Sequence, residues 1–295
     1  MDAGPQPRAH VPHPLRPYEP LIVNAALTGM VPTRALVPHV PVTPEQIARD
    51  AVACVEAGAT ILHLHARHAD ESPAWERSAY EAIIPAIREQ CPGAVICVST
   101  SGRDVAEFER RADVLELGGD ARPDMASLTL GSLNFRTTAS VNAPDTIVRL
   151  ATTMAERGIR PELEVFDSGM AYLAAELLDR GVLEPPLYAN LILGSVNTAP
   201  ATARSLAHLV DALPPGTTWA AGGLGPFQLP MNAIAIFMGG HVRTGLEDNP
   251  SFDAERARPA TNPGLVARVA QIATIAGRSL STAAEVRERL GLAVA

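Results

Sequence analysis

Along most of the chain, short apolar runs alternate with longer stretches whose apolar residues recur every three or four positions. The runs read as strands and the stretches as amphipathic helices. The first run is "LIVNAAL" (21–27), and "TPEQIARDAVACVEAG" (43–58) follows it as a helix. Thr43 stands at the N-cap, Pro44 at the first helical position and Gly58 at the end, the expected order of start and stop signals. "TILHLHA" (60–66) is the second strand. "AWERSAYEAIIPAIREQ" (74–90) is the second helix, in which Pro85 predicts a kink or a packing adjustment. "AVICVST" (94–100) pairs with a short helix near 104–111, and "DMASLTL" (124–130) with a helix over 144–158. "ELEVFD" (162–167), "LYANLILG" (187–194), "TTWAAGG" (217–223) and "HVRTGLE" (241–247) are each followed by a helical pattern, over 169–180, 200–212, 226–238 and 263–278.

Eight strand–helix units in unbroken succession predict a parallel sheet. Their number predicts an α/β fold of the closed (β/α)8 TIM barrel type. An open doubly wound sheet would want a glycine-rich turn after its first strand, and "NAALTGMVPT" has no GxGxxG. The Pro-rich residues 1–19 read as an extended arm, and 20–295 as one catalytic barrel. The final "LSTAAEVRERLGL" (280–292) reads as an amphipathic helix suited to packing on a neighbouring subunit.

Composition narrows the function classes. The net charge of −8 argues against a nucleic-acid surface, which wants a basic patch. Cys54, Cys91 and Cys97 are too scattered for a disulfide framework or a CxxC metal site, which points to a reducing cytoplasm. No run of about 20 apolar residues is long enough to span a membrane, and the N-terminus has no apolar core of a signal peptide.

In a barrel, chemistry gathers at the C-terminal strand ends. The second strand ends in His63-Leu64-His65, and alternation puts both imidazoles on one face. Two core histidines joined by hydrogen bonds are the bland alternative; a pair at the catalytic end favours a metal. The eighth strand ends in Glu247-Asp248, with Arg243 and Glu247 on one face. It closes the barrel beside strand one, so Glu247 can reach the histidines. Two imidazoles and a carboxylate suit Zn²⁺, with iron and manganese as weaker options. Asp248 is placed to act as a base. "CVSTSGR" (97–103) offers a small-anion cradle of hydroxyls and N–H groups, or else an ordinary capped turn. Ser127 and Thr129 share a face, as do Glu162, Glu164 and Phe166. A mid-strand carboxylate is costly to bury unpaired, and Arg243 is the expected partner of Glu164. His241, at the start of its strand, faces the wrong end for catalysis, and His39 is expected to be exposed. Trp75 and Trp219 read as packing residues.

Together, "NAALTG", "PVTPEQIARDAVACVEAGATILHLHAR", "VSTSGR", "MASLTLGSLNF", "ELEVFDSG" and "GGHVRTGLEDN" resemble the β-keto acid cleavage enzymes, from about Pro20 to the C-terminus. The resemblance implies a homotetrameric TIM barrel with one Zn²⁺ per subunit. It implies conversion of a 3-keto acid plus acetyl-CoA into acetoacetate and a new acyl-CoA. On this likeness His63, His65 and Glu247 are the zinc ligands. Asp248 is the catalytic base, oriented by Glu164 and Arg243. Ser99, Gly102 and Ser127 form the substrate-carboxylate cradle. One position departs from the 3-keto-5-aminohexanoate cleavage enzymes: Val31 stands where they carry a glutamate for the substrate ammonium. With Met30 beside it, Val31 suggests an uncharged or apolar substrate chain, while Arg34 leaves a second carboxylate possible. Arg103 and Arg136 are candidates for the CoA phosphates. The alternative function is a metal-dependent hydrolase. A non-haem iron oxygenase and a metal-binding scaffold fit less well.

Overall fold

The computed structural model describes residues 18–293. The arm expected over residues 1–19 therefore lies outside the described residues, apart from Tyr18 and Glu19. These two are tied to the barrel: the Tyr18 hydroxyl donates to the Phe237 carbonyl, and Arg278 donates to the Glu19 carbonyl.

Eight parallel strands close into a barrel. They are β1 (Val23–Ala26), β2 (Ile61–Leu64), β3 (Val95–Val98), β4 (Met125–Thr129), β5 (Arg160–Val165), β6 (Tyr188–Leu193), β7 (Thr218–Gly223) and β8 (His241–Thr244). β1 joins the two ends of the series, with Asn24 opposite both Ile61 and Arg243. The ladders are shorter than the apolar runs, because they cover only the residues the barrel keeps in register. His65 and Glu247 thus sit just beyond their strands.

Helices cover the outside. α1 (Pro44–Glu56) starts in a capping box between Thr43 and Gln46, and buries Ile47, Ala48, Ala51 and Cys54. Burying a side chain as large as Ile47 contributes about 1.5–3 kcal/mol. The second helix is two: α2 (Arg77–Glu81) and α3 (Ile83–Gln90). The break at Ala82 puts Pro85 in the first turn of α3, where a missing N–H costs no hydrogen bond. The third helix begins later than expected, as α4 (Phe108–Ala112), followed by 3₁₀ turns. α5 (Pro144–Glu156), α6 (Ser168–Asp179), α7 (Ala203–Ala212), α8 (Gln228–Phe237) and α9 (Asn262–Ile275) follow. No helix of the described residues is long and apolar enough to cross a membrane. Trp219 is half-buried and fills the space over Gly240, where no β-carbon would fit, and Trp75 is half-buried beneath Arg110.

The last helix, α10 (Ala283–Leu290), corrects an expectation. Its apolar face is used within the chain. Val286 and Leu290 plug the N-terminal end of the barrel against Ile22, Ile61, Val95, Cys97, Met125, Tyr188 and Ala220. Arg287 locks the plug, donating to the Gly93 and Ala94 carbonyls and to Asp124. This plug fills the barrel interior at its N-terminal end.

Candidate active site

The turn after β8 is built to present two carboxylates. Gly245 (φ +142°) packs on Ala26 so tightly that any β-carbon would overlap its backbone. The Gly245 carbonyl accepts from Gln228 Nε2 at 2.9 Å, and the Leu246 N–H donates to Asn262 Oδ1 at 2.7 Å. The Glu247 N–H continues the ladder to the Ala26 carbonyl, and the Gly225 N–H holds the Asp248 carbonyl at 2.7 Å. These bonds fix Glu247 and Asp248 over the barrel mouth.

From β2, His63 and His65 point to the same place. His63 Nε2 and His65 Nε2 are 3.3 Å apart, and Glu247 Oε2 lies 3.7 Å from the first and 3.5 Å from the second. A tetrahedral site with bonds of about 2.0–2.2 Å spaces its ligand atoms roughly 3.3–3.6 Å apart. Among the described residues, Glu247 Oε2 is also buried without a hydrogen-bond partner, an unusual state for a carboxylate oxygen. The donor set and this orphaned oxygen fit a divalent ion with an open position. Burial lowers the basicity of His65. Burial opposes charge on Glu247 as well, yet His65, Arg243 and His63 outweigh it and hold the carboxyl well below its usual range. Against burial, the Glu162 and Glu247 carboxylates raise His63 to about 9, so an ion taking its Nε2 would release a proton there.

Arg243 is the hub of the charges. It is fully buried, donates to Glu247 at 2.8 Å and to Asp248 at 3.0 and 3.4 Å, and lies 3.7 Å from Glu164. Its expected pairing with Glu164 is therefore one contact among several. Thr129 Oγ1 donates to Glu164 at 2.6 Å. Burial raises the carboxyls of Asp248 and Glu164 against the pull of Arg243.

The cavity above is lined by Met30, Val31, His65, Ser99, Ser101, Arg103, Thr129, Glu164, Arg243, Glu247 and Asp248, with Leu133, Phe135, Phe166, Ile192 and Leu224 on its apolar side. Ser99 Oγ accepts from the Ser101 N–H at 3.2 Å. Gly102 is buried behind them, and a β-carbon there would stand 2.5 Å from the Val141 carbonyl. Ser127 lies beneath the cavity rather than on its surface, and its hydroxyl accepts from the Thr100 N–H at 3.1 Å. Arg34 turns outward to Gln46 and Glu71, and Arg136 and His39 are exposed. Arg103 stays at the rim, 3.7 Å above the Phe135 ring, with Nε donating to Thr138. His241 sits at the closed end, where Nδ1 accepts from the Ile22 N–H at 2.9 Å.

Two groups were missed. Glu162, fully buried, meets His63 Nδ1 at 2.6 Å; its shared face with Glu164 was visible, its depth was not. Arg67 donates to the carbonyls of Gly29, Pro32 and Glu71, pinning the loop that brings Met30 and Val31 to the cavity. Its place two residues after His65 was the available signal.

Several known proteins are similar to this chain over most of its length. A 3-oxoadipate:acetyl-CoA acetyltransferase of Cupriavidus necator is 38% identical over 93% of this chain and 95% of its own. A 3-keto-5-aminohexanoate cleavage enzyme of Fusobacterium nucleatum is 38% identical over 93% of this chain and 98% of its own. Among solved structures, apo ObcA superposes with a TM-score of 0.77 at 23% identity, over 87% of this chain and 66% of that longer one; this likeness concerns the fold. The profile of the beta-keto acid cleavage enzymes matches residues 20–292, and the chain belongs to that family.

Proposed function

We propose that the protein is a zinc-dependent acyltransferase that exchanges acyl groups between a 3-keto acid and acetyl-CoA, releasing acetoacetate and a new acyl-CoA. The observation that carries this reading is the triangle of His63 Nε2, His65 Nε2 and Glu247 Oε2, open to the cavity beside Asp248. Relatives named for a 3-keto acid and for acetyl-CoA transfer support the reaction class.

Those three atoms would hold the zinc ion, which when bound supplies a Lewis acid that draws electron density from the substrate ketone. The Ser99 hydroxyl and the backbone around Gly102 receive the substrate carboxylate. Ser127 supports this cradle by holding the Thr100 N–H. Asp248 accepts the proton at C2, which lies between ketone and carboxylate and is the acidic carbon of a 3-keto acid. Burial makes Asp248 a stronger base than a surface aspartate. Arg243 grips it through Nε and Nη2, and Glu164 steadies Arg243 from the far side. The substrate chain then lies against Met30, Val31, Leu133, Phe135, Phe166, Ile192 and Leu224. That wall favours an uncharged or apolar chain over an ammonium-bearing one. Arg103 and the exposed Arg136 offer cations at the rim for the CoA phosphates. The family likeness also implies a cytoplasmic homotetramer, which light scattering on the purified chain checks for assembly.

The test is to incubate the zinc-loaded protein with acetyl-CoA and a panel of 3-keto acids, and to search for acetoacetate with a matching acyl-CoA by mass spectrometry. Uncharged chains should react best, and His63→Ala should lose both zinc and product. No acyl-CoA from any acid, together with hydrolysis of esters or amides without CoA, would replace this reading by a metal-dependent hydrolase.

A further inference from the structure

Among the described residues, two clusters of possible metal ligands share His63. One is His63, His65 and Glu247; the other is His63, Cys97 and Glu162. Their spacings differ in kind. At the Nε2 end of His63 the contacts are 3.3 and 3.7 Å, the edges of a coordination polyhedron. At the Nδ1 end, Glu162 Oε2 stands 2.6 Å away. That is the length of a charge-assisted hydrogen bond, and too short for two ligands on one ion.

We infer that Glu162 is a positioning residue: it holds the His63 proton on Nδ1 and so turns the Nε2 lone pair toward the metal site. The inference rests on the proposed metal site. Glu162 is anchored for this task. It reaches across the barrel interior from β5 to β2 and β1. Asn24 Nδ2 donates to its Oε1 at 2.5 Å, and the Cys97 thiol donates to its Oε2 at 3.3 Å. Asn24 also donates to the Tyr188 hydroxyl at 3.3 Å, which donates to Asn190 Oδ1 at 3.2 Å. Both carboxylate oxygens are thus held by donors, and the carboxylate cannot swing away from the imidazole. Stability alone does not call for this arrangement, since a well-packed apolar core at the same place is often as stable. Fixing the tautomer and ring angle of a ligating histidine does call for it.

The decisive experiment compares wild type with Glu162→Gln. Zinc stoichiometry and affinity are measured by competition with a chromophoric chelator, and the fold of the zinc-free proteins by circular dichroism. A glutamine offers one acceptor oxygen where three donors converge, so zinc affinity should fall about 10–100-fold while wild type binds one ion per chain. Unchanged affinity in a folded Glu162→Gln overturns the inference and leaves the metal site standing. Two ions per wild-type chain, one of them lost in the variant, overturn it in favour of a second metal at Cys97 and Glu162. Absence of zinc binding by wild type would overturn the proposed function itself. Should the variant not fold, nitrogen NMR of labelled histidines in zinc-loaded wild type decides. A proton on Nδ1 of His63 supports the inference, and one on Nε2 refutes it.

Discussion

Gly29 and Glu247 are packed so closely that a β-carbon on Gly29 would stand 2.6 Å from Glu247 Cγ. Gly29 is also left-handed, with φ +65°, where any other residue is strained by about 1–2 kcal/mol. Gly29→Ala should therefore lower stability by roughly that amount and push Glu247 away from the histidines. Thermal unfolding should show the first effect, and weakened zinc binding by chelator competition the second. A variant that loses stability but keeps its zinc affinity would mean that Glu247 is not held by this contact.

Asp248 separates from the metal ligands in a direct way. Asp248→Asn should lower kcat by about 10²–10⁴-fold, the usual worth of a positioned base, with zinc content unchanged. In wild type, activity should fall as pH drops through the raised folded value of Asp248, because the protonated acid cannot accept a proton. The rate–pH profile and metal analysis of the variant check both statements.

Val31 borders the cavity and remains half exposed, at 51%. A carboxylate placed there would face the substrate chain. Val31→Glu should raise kcat/KM for a 3-keto acid bearing an ammonium at C5 by about fivefold, the worth of an ion pair of roughly 1 kcal/mol. It should lower kcat/KM for uncharged chains. Competition between the two substrates in one mixture reads the ratio directly.

His241 makes acid stability a local property of the closed end of the barrel. Burial, with Arg289 and Arg278 nearby, lowers its folded value to about 3. Above about pH 6.5 it is neutral in both the folded and unfolded chain, and its contribution is fully present. As pH falls from there toward 3, the unfolded chain takes up a proton that the fold refuses. Stability should then drop by at most about 1.4 kcal/mol per pH unit from this residue. Urea unfolding of wild type and His241→Gln across this range should show the steeper loss in wild type.

Much of the site was legible because its signals are local. His63 and His65 announce themselves by period-two spacing in an apolar strand, and Glu247 by parity with Arg243. The eight-unit count then brings strand eight beside strand two through strand one. Other features were illegible for physical reasons. Alternation says that Glu162 and Glu164 share a face, but not how deep each sits along the barrel axis. Glu162 reaches His63, while Glu164 lies one pleat higher beside Thr129. Ser127 has the right face as well, yet its depth puts its hydroxyl against the Thr100 N–H.

Amphipathic period and alternation are properties of neighbouring residues, so the chain by itself determined the element order, the barrel and the faces on which its polar groups lie. Which partner each face meets depends on contacts between residues far apart in sequence. Only the closed tertiary structure decided that α10 plugs its own barrel, that Arg67 clamps the loop of Val31, and that Arg243 serves four carboxylates at once. The same closure decided which end of His63 faces a carboxylate held for a proton and which faces room for an ion.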